Sequence, residues 1–517
     1  MYLFHAISTY QLLEMIVYKT HFHKDDKCVL MITDSLVDKF PRYKELSEFF
    51  DDIIVYPIVA PPVKGANLAE NCKIFFTNVF DSCGFSIQEF DTIYVGCAHY
   101  YFGIYLASYN IPFVFFEDGS GLASRPDILI NIEKEKYPIK QKYNLELGLY
   151  DGSAEAVQKI ICNHNSQTDD VKSRTEHFDV VETFLSFSAE TQNSIKSFFI
   201  SFDEIELPAD SVLFLTQHLA NFNLLSFENH VLLYQLVIDY FFKNETVAFK
   251  PHPDDIVPYG LLFPDCSIIR EKFPAEFLPV MFTNKPKTIA TVSSTAIFNL
   301  RNFFNNSFCL YTRTEKEFFA LHRYFSAIKL YQLLNLNSSI IGIGDNKPVV
   351  EEFLKTTNIV HNNLNNKYYI IDDIDTEEDY TREDIISLLD SASENDVVVF
   401  INFKDDYCFY DVNRKDIFNH IIPILIKKKK TKNKDFYSDT KTETIYVYTK
   451  NEELKSMIEQ ANMNETLEHA GLEISFEHLT EEQRKLKVLE GILKATEKRL
   501  LFYMDRVKEL EKEAPKK

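Results

Sequence analysis

Three stretches of this sequence end an apolar run in residues able to do chemistry. Phe113-Val-Phe-Phe-Glu-Asp-Gly119 stops in two carboxylates and a glycine turn, and Val247-Ala-Phe-Lys-Pro-His-Pro253 stops in a lysine and a histidine held between prolines. Thr288-Ile-Ala-Thr-Val-Ser-Ser-Thr295 stops in hydroxyls. Glu117 or Asp118 could accept the proton of an attacking hydroxyl, and Gly119 would let a substrate approach the backbone closely. Two solvated acids at a plain turn explain the same letters, and on this motif alone that plainer reading is favoured. Prolines on both sides of His252 fix the backbone and remove two amide donors, so the imidazole is presented from a rigid bend. A histidine held there can donate to a phosphate oxygen or protonate a leaving group, and Lys250 adds positive charge beside it; an ordinary turn histidine is the alternative. Ser293, Ser294 and Thr295 could join backbone N–H groups in holding a phosphate at a helix start, or could simply cap that helix. Each motif alone decides little; all three at successive strand ends, in this order, are far harder to obtain by accident.

These strand ends need sheets to position them. From Tyr2 to about Gly119 apolar strand-like runs alternate with amphipathic stretches: YLFHAIS then TYQLLEMIVYKT, CVLMITDS then YKELSEFF, DDIIVYPIV, DTIYVGCA then HYYFGIYLASYN, and PFVFFEDG. That alternation predicts βαβ units and a parallel sheet covered by helices on both faces, with ligands bound just beyond the carboxyl ends of its strands. Residues from Gly121 to Pro208 are less regular and read as a surface excursion around Asn163–Asp170 plus the helices that close the first domain. A second series starts at Ser211-Val-Leu-Phe-Leu-Thr216. It continues through a helix over His230–Phe242, strands at Thr246–Lys250 and Thr288–Val292, the segment Ser267–Leu278, the run Phe308–Tyr311 and a closing helix pair over Glu315–Leu334.

Composition narrows the function classes. A chain of 517 residues exceeds one ordinary core and suggests several domains, and its 45 Phe and 28 Tyr supply ample apolar material. A formal charge of −22 argues against a general nucleic-acid binder. The eight cysteines have neither a CxxC pair nor a metal-ligand spacing, and read as reduced thiols of a cytoplasmic protein. The apolar N-terminus lacks a basic n-region and a small-residue cleavage site, so it reads as a first strand and helix rather than a signal peptide; no apolar run elsewhere is long enough to span a bilayer.

The order Glu-Asp-Gly, Lys-Pro-His-Pro, Ser-Ser-Thr resembles that of bacterial sialyltransferases and polysialyltransferases of the glycosyltransferase-B type, over roughly residues 1 to 335. Phe273-Pro-Ala-Glu276-Phe-Leu278 is similar to that family's Pro-x-Glu element. The resemblance implies an α/β fold of two Rossmann-like domains facing a cleft, with an N-terminal acceptor-side domain over 1–208 and a CMP-donor-binding domain over 209–336. It implies Asp118 as general base, with Glu117 as the competing candidate, and His252 as general acid or phosphate partner. Ser293 and Ser294 would hold the CMP phosphate, Glu276 the ribose hydroxyls, and Lys250, Thr295 and Gly119 would complete the donor site. The partners implied are a CMP-linked nonulosonic acid donor and a glycan acceptor of capsule or lipooligosaccharide type, with no cofactor and no metal: a single phosphate can be neutralised by lysine, imidazole and hydroxyls. Displacement at a tertiary anomeric carbon would proceed with inversion. Alternatives are another CMP-releasing surface-polymer transferase, for Kdo or glycerol phosphate, and a non-catalytic glycan-binding scaffold.

The last third of the chain falls outside this resemblance. Residues 337–450 read as a small accessory α/β domain with strand-like runs at Ser339–Gly344, Tyr368–Asp373, Asp396–Ile401 and Thr444–Tyr448 and helix-like runs at Val349–Lys355 and Arg382–Ser391. Its Gly342-Ile-Gly344 lacks the third glycine of a dinucleotide fingerprint, so a structural or acceptor-positioning role is favoured over nucleotide binding. The basic run Lys427–Lys434 is either a solvated, disordered charge run or a patch attracted to anionic lipid at the inner face of the membrane. Within 451–517, Thr480 and Gln483 form a capping box, followed by Leu486, Leu489, Leu493, Leu500, Tyr503, Val507 and Leu510 at coiled-coil spacing, which suggests a homo-oligomer.

Overall fold

The computed structural model describes residues 1–58, 67–117, 126–163, 173–202, 204–222, 224–242, 244–255, 257–310, 315–334, 336, 338–343, 366–371, 382–401, 421–430 and 440–463. Among these the strands form three sheets. The first contains β1 (Tyr2–Ala6), β2 (Cys28–Thr33), β3 (Asp52–Tyr56), β4 (Thr92–Gly96), β5 (Phe113–Phe116), β6 (Val157–Cys162) and β7 (Thr175–His177), in the order β3-β2-β1-β4-β5-β6-β7. Every neighbouring pair is parallel. β2 and β5 are buried at every position, as their unbroken apolar runs require when helices cover both faces. The strand order reverses between β1 and β4, the place where such sheets open a ligand crevice.

Two local devices shape that reversal point. Ser8 and Gln11 form a capping box at the head of the helix Thr9–Phe22: Ser8 Oγ accepts the Gln11 N–H at 3.2 Å, and Gln11 Oε1 accepts the N–H groups of Ser8 and Ile7 at 3.1 and 2.9 Å. After β4, Cys97 takes a left-handed conformation (φ 63°). The helix Tyr101–Ser108 then lies so close that a Cβ on Gly103 would stand 1.8 Å from the Ala98 carbonyl oxygen.

β6 and β7 extend the first sheet through a region expected to hold an excursion and closing helices. VQKIIC alternates too weakly to announce a strand and β7 is three polar residues long, so the ladder rather than the sequence pattern makes them strands. The helices Pro126–Lys136 and Pro138–Leu147, which precede them, are joined by a buried network. Glu133 accepts hydrogen bonds from Lys140 Nζ, Asn144 Nδ2 and the Tyr150 hydroxyl at 2.5, 2.9 and 2.5 Å.

The second sheet has the order β10-β9-β8-β11-β12, from β8 (Val212–Leu215), β9 (Val247–Lys250), β10 (Ser267–Ile268), β11 (Thr288–Thr291) and β12 (Asn306–Cys309). The Thr216 N–H donates to the Lys250 carbonyl at 3.2 Å, which sets the carboxyl ends of β8 and β9 side by side, and the Thr288 N–H donates to the Ser211 carbonyl at the opposite ends of β11 and β8. Two Rossmann-like sheets are therefore present, as the alternation of elements predicts. Where a helix pair was expected, a single helix runs Glu315–Leu333.

The third sheet runs β13-β14-β15-β17-β16, from β13 (Ser339–Ile343), β14 (Lys367–Ile371), β15 (Val397–Phe400), β16 (Ile421–Lys430) and β17 (Thr440–Tyr448). β13, β14 and β15 are parallel, while β17 and β16 close the sheet as an antiparallel pair. Ile385 and Leu389 of the helix Arg382–Ser391 pack with Tyr369, Ile371, Val398, Phe400 and Tyr448 to give it a core of its own. Gly342 pairs with Ile370 inside the ladder; Gly344 lies outside the described residues. Lys427–Lys430 are strand residues, in register with Glu443, Thr442, Lys441 and Thr440, which corrects the reading of them as an unstructured charge run; Lys432 and Lys434 lie outside the described residues. So do Val349–Lys355 and Thr480–Leu510. Among the described residues no helix is long and apolar enough to cross a membrane.

The chain divides into two compact units. One comprises Met1–Leu215, Ile269–Ala290 and Ser294–Ser307; the other comprises Thr216–Ile268, Thr291–Ser293 and the chain from Phe308.

Candidate active site

In the first unit three carboxylates gather around one phenol. Glu117 directly follows β5, its N–H bonded to the Ile161 carbonyl at 3.0 Å, and its residue is only 2% exposed. Glu14 comes from the helix Thr9–Phe22 and Glu276 from the short 3₁₀ turn Ala275–Val280, both buried. Between them stands Tyr10, whose hydroxyl is held protonated well above its ordinary pKa, first by burial and then by the negative charges of Glu14, Glu276 and Glu117. Asn299 fixes two members of this group: its Nδ2 donates to Tyr10 Oη and to Glu276 Oε1, each at 3.3 Å. Asn299 Oδ1 in turn accepts from Asn163 Nδ2 at 2.9 Å, and Asn163 also donates to Asp179 Oδ2 at 3.2 Å. Glu117 and Glu276, singled out separately in the sequence, thus belong to one cluster. Asp118 and Gly119 lie outside the described residues.

The second unit holds Lys250, His252 and Ser293. The bend at Pro251-His252 is secured from below, with the His252 N–H donating to Thr216 Oγ1 at 3.0 Å and Thr216 Oγ1 donating to Asp255 Oδ2 at 2.9 Å. Asp255 also accepts the Tyr259 hydroxyl at 2.6 Å and the Val257 N–H at 3.1 Å, so its carboxylate is a fully engaged support. The Asp254 N–H donates to His252 Nδ1 at 3.2 Å. With Nδ1 an acceptor, the neutral ring carries its proton on Nε2, a hydrogen-bond donor. Lys250 is buried at the end of β9. Burial holds the Tyr259 phenol far above its ordinary pKa, with the charge of Asp255 among the further causes.

Ser293 follows β11. Its Oγ is buried and has no hydrogen-bond partner among the described residues. The helix start at Ala296–Leu300 is capped by Thr295 in helical geometry, with no side-chain capping bond. Helix capping therefore does not account for the Ser293 hydroxyl. Among the described residues no group of three or more His, Cys, Asp or Glu is placed to hold a metal ion.

Residues 68–312 match the family model of Glycosyltransferase family 52. This region contains Glu117, Lys250, His252, Glu276, Ser293, Ser294 and Thr295, whereas Tyr10 and Glu14 precede it. A curated uncharacterized protein of Haemophilus influenzae is 25% identical over 151 residues, which is 29% of this chain and 49% of that protein; the chain thus spans about half the length of the relative it matches. The fold is similar to that of an alpha/beta-galactoside alpha-2,3-sialyltransferase from the luminous marine bacterium Photobacterium phosphoreum, with 14% identity, a TM-score of 0.38 and coverage of 70% of this chain and 96% of that one. It is also similar to a UDP-GlcNAc 2-epimerase from Methanocaldococcus jannaschii, with 13% identity, a TM-score of 0.40 and coverage of 70% and 94%.

Sequence reasoning missed several residues of both clusters. His218, two residues past Thr216, follows a strand exactly as His252 does in kind, and the polar run Thr216-Gln217-His218 was the available signal. Tyr10, Glu14 and Asn299 gave none, because they meet Glu117 and Glu276 only through the fold.

Proposed function

We propose that this chain is an inverting glycosyltransferase that moves sialic acid, or a related nonulosonic acid, from its CMP-activated donor to a hydroxyl of a bacterial surface glycan. The observation that carries the reading is that the family 52 region contains the whole ordered set of strand-end motifs, with the His252 Nε2–H and the buried Ser293 hydroxyl in one unit. A CMP-linked sugar leaves with one phosphate. A lysine, an imidazole N–H and serine hydroxyls suit that charge and need no metal to help them.

In this reading Lys250, His252, Ser293 and Ser294, with Thr295, form the phosphate side of the donor site, and Glu276 takes the ribose hydroxyls. A carboxylate of the Glu117-Asp118-Gly119 turn accepts the proton of the acceptor hydroxyl, Asp118 being the assigned base. Glu117, beside Tyr10, Glu14 and Glu276, sits in a crowded anionic setting and helps to shape the site.

The test is a melting experiment with CMP, CDP, UDP and no nucleotide, on the wild type, His252→Ala and Ser294→Ala. A ligand that binds only the folded state at a hundredfold excess over its Kd adds about 2.7 kcal/mol of stability. The expected outcome is a rise with CMP that both substitutions abolish. A rise with UDP alone, or none with any nucleotide, rejects the CMP-donor reading.

A further inference from the structure

The third sheet carries a two-stranded arm. β15 pairs with β17 only at Tyr446, Val447 and Tyr448, whereas the ladder between β16 and β17 continues to Lys430 and Thr440. From Ile445 back to Thr440, β17 therefore has β16 as its one strand partner among the described residues. The steps from Tyr446 to Thr440 carry the arm roughly 20 Å past its last pairing with β15, at ~3.4 Å per residue. The register breaks between Leu425 and Lys427, where the strand leaves the core that buries Ile422, Ile445 and Val447. The helix Glu452–Met463 also packs on β16. It follows Tyr448, which pairs with Ile421, and so approaches from the apolar end of that strand.

The arm is basic on an acidic protein. Lys427 pairs with Glu443, Lys428 with Thr442, Lys429 with Lys441 and Lys430 with Thr440, so five lysines meet one carboxylate on a chain of formal charge −22. Successive strand residues belong to opposite faces, and lysine at four consecutive positions charges both. Lys429 opposite Lys441 is a like-charge pair, which costs a ladder stability, and a two-stranded ribbon is marginal in water to begin with. Lysines scattered along an edge strand guard it against aggregation; an unbroken run with a like-charge pair adds repulsion that this purpose does not need. An anionic partner relieves that repulsion. At physiological salt charges are screened beyond ~8 Å, so the far end of the arm stands clear of the acidic body's field.

We propose that this arm docks the protein on the surface of an anionic lipid bilayer. The residues of its basic part, Lys427–Lys430 and Thr440–Glu443, include no arginine, aromatic, asparagine or glutamine. Nothing there can stack on a nucleic-acid base or grip a single phosphate with a two-pronged donor. Lysine alone answers to a diffuse field, and each one near an anionic leaflet is worth about a fivefold gain in binding. The docking would hold the unit that carries His252. The helix Glu315–Leu333 packs both on the helix Phe227–Phe241, which belongs to the second sheet's layer, and on β14 and β17 of the third. Its Tyr240–Phe325 contact has ring centroids 4.4 Å apart, and on the other side the Tyr368 hydroxyl donates to the Ala327 carbonyl at 2.6 Å. Both sheets fall in the same compact unit, so a surface that holds the arm holds the strand end of β9 with it. The proposal does not depend on the donor reading.

Flotation of the full-length protein with vesicles of phosphatidylcholine alone, and of phosphatidylcholine mixed with phosphatidylglycerol, reads the docking directly. Binding is expected to the mixed vesicles only and to fall as salt is raised. K427Q/K428Q/K429Q/K430Q is expected to weaken it by about 10²- to 10³-fold. Glutamine at Lys24, Lys44, Lys134 and Lys142, exposed lysines of the first unit, is expected to leave it within a few-fold. Two further variants keep every positive charge and decide the matter even if the glutamine variant of the arm fails to fold: K427R/K428R/K429R/K430R should bind like the wild type, and Glu443→Gln should bind about fivefold more tightly. Several results would overturn the proposal: no binding to the mixed vesicles, equal binding to phosphatidylcholine alone, equal weakening by both sets of glutamines, or loss of binding in the arginine variant. Tighter binding of dextran sulfate or a single-stranded oligonucleotide through the same four lysines would also overturn it, by assigning the arm to a soluble polyanion.

Discussion

At Asn299 a single amide serves two partners, the Tyr10 hydroxyl and the Glu276 carboxylate, and is itself held by Asn163. Asn299→Ala removes those bonds and leaves buried polar atoms behind, at a cost of about 1–3 kcal/mol. The expected result is a lower denaturant midpoint together with a raised donor KM and a smaller change in kcat. Asn299→Asp, which adds another carboxylate where three already crowd Tyr10, is expected to do more harm than Asn299→Ala on both readouts; the reverse order would mean that the amide positions nothing. The sequence announced Glu117, Lys250, His252 and the serines because each follows an apolar run and changes its chemistry abruptly. It could not announce Asn299, which lies 289 positions from Tyr10 and inside an ordinary short helix. His218 was concealed differently: a lone histidine after Thr-Gln has nothing of the proline-flanked form that marks His252, and only the stacked rings expose the pair.

Among the elements, the turn between β4 and the helix Tyr101–Ser108 is the tightest. Cys97 in the left-handed region and the bare face of Gly103 over the Ala98 carbonyl let the helix begin almost at once after the strand. Gly103→Ala would force a methyl group into a carbonyl oxygen and must displace the helix or the turn, a strain typically worth 1–3 kcal/mol or about that. Thermal melting should show a larger drop for Gly103→Ala than for Gly84→Ala, where a Cβ meets nothing within 4 Å and only the φ of 76° opposes a side chain. Equal, small effects would deny the close approach. Elements were legible where burial dictated composition: β1, β2, β4 and β5 are apolar runs because both faces of their sheet are covered. β6, β7 and the lysine half of β16 were not, because each is held by its neighbour's backbone ladder, and a ladder leaves no trace in the letters of the strand it recruits.

For the molecule as a whole, acid is the expected weakness. Burial drags the pKa of His5 from 6.5 to about 3, against a weaker opposing interaction with the Gly96 backbone, and His230 is drawn down to about 3 in the same way. Between those values the unfolded chain binds protons that the folded chain refuses, so the stability from these groups is complete above pH 6.5 and is lost as pH falls towards about 3. Urea midpoints are expected to decline from about pH 7 to about pH 5, and His5→Gln to flatten the decline by up to about 1.4 kcal/mol per pH unit. A slope untouched by the substitution would show that His5 already takes up its proton in the folded state. The two units also interleave along the chain: the first is resumed at Ile269–Ala290 and again at Ser294–Ser307, and the division falls between Ser293 and Ser294. No single crossover in the gene could therefore exchange one unit for that of a relative. A recombinant joined anywhere between residues 216 and 307 would inherit mismatched parts of at least one unit.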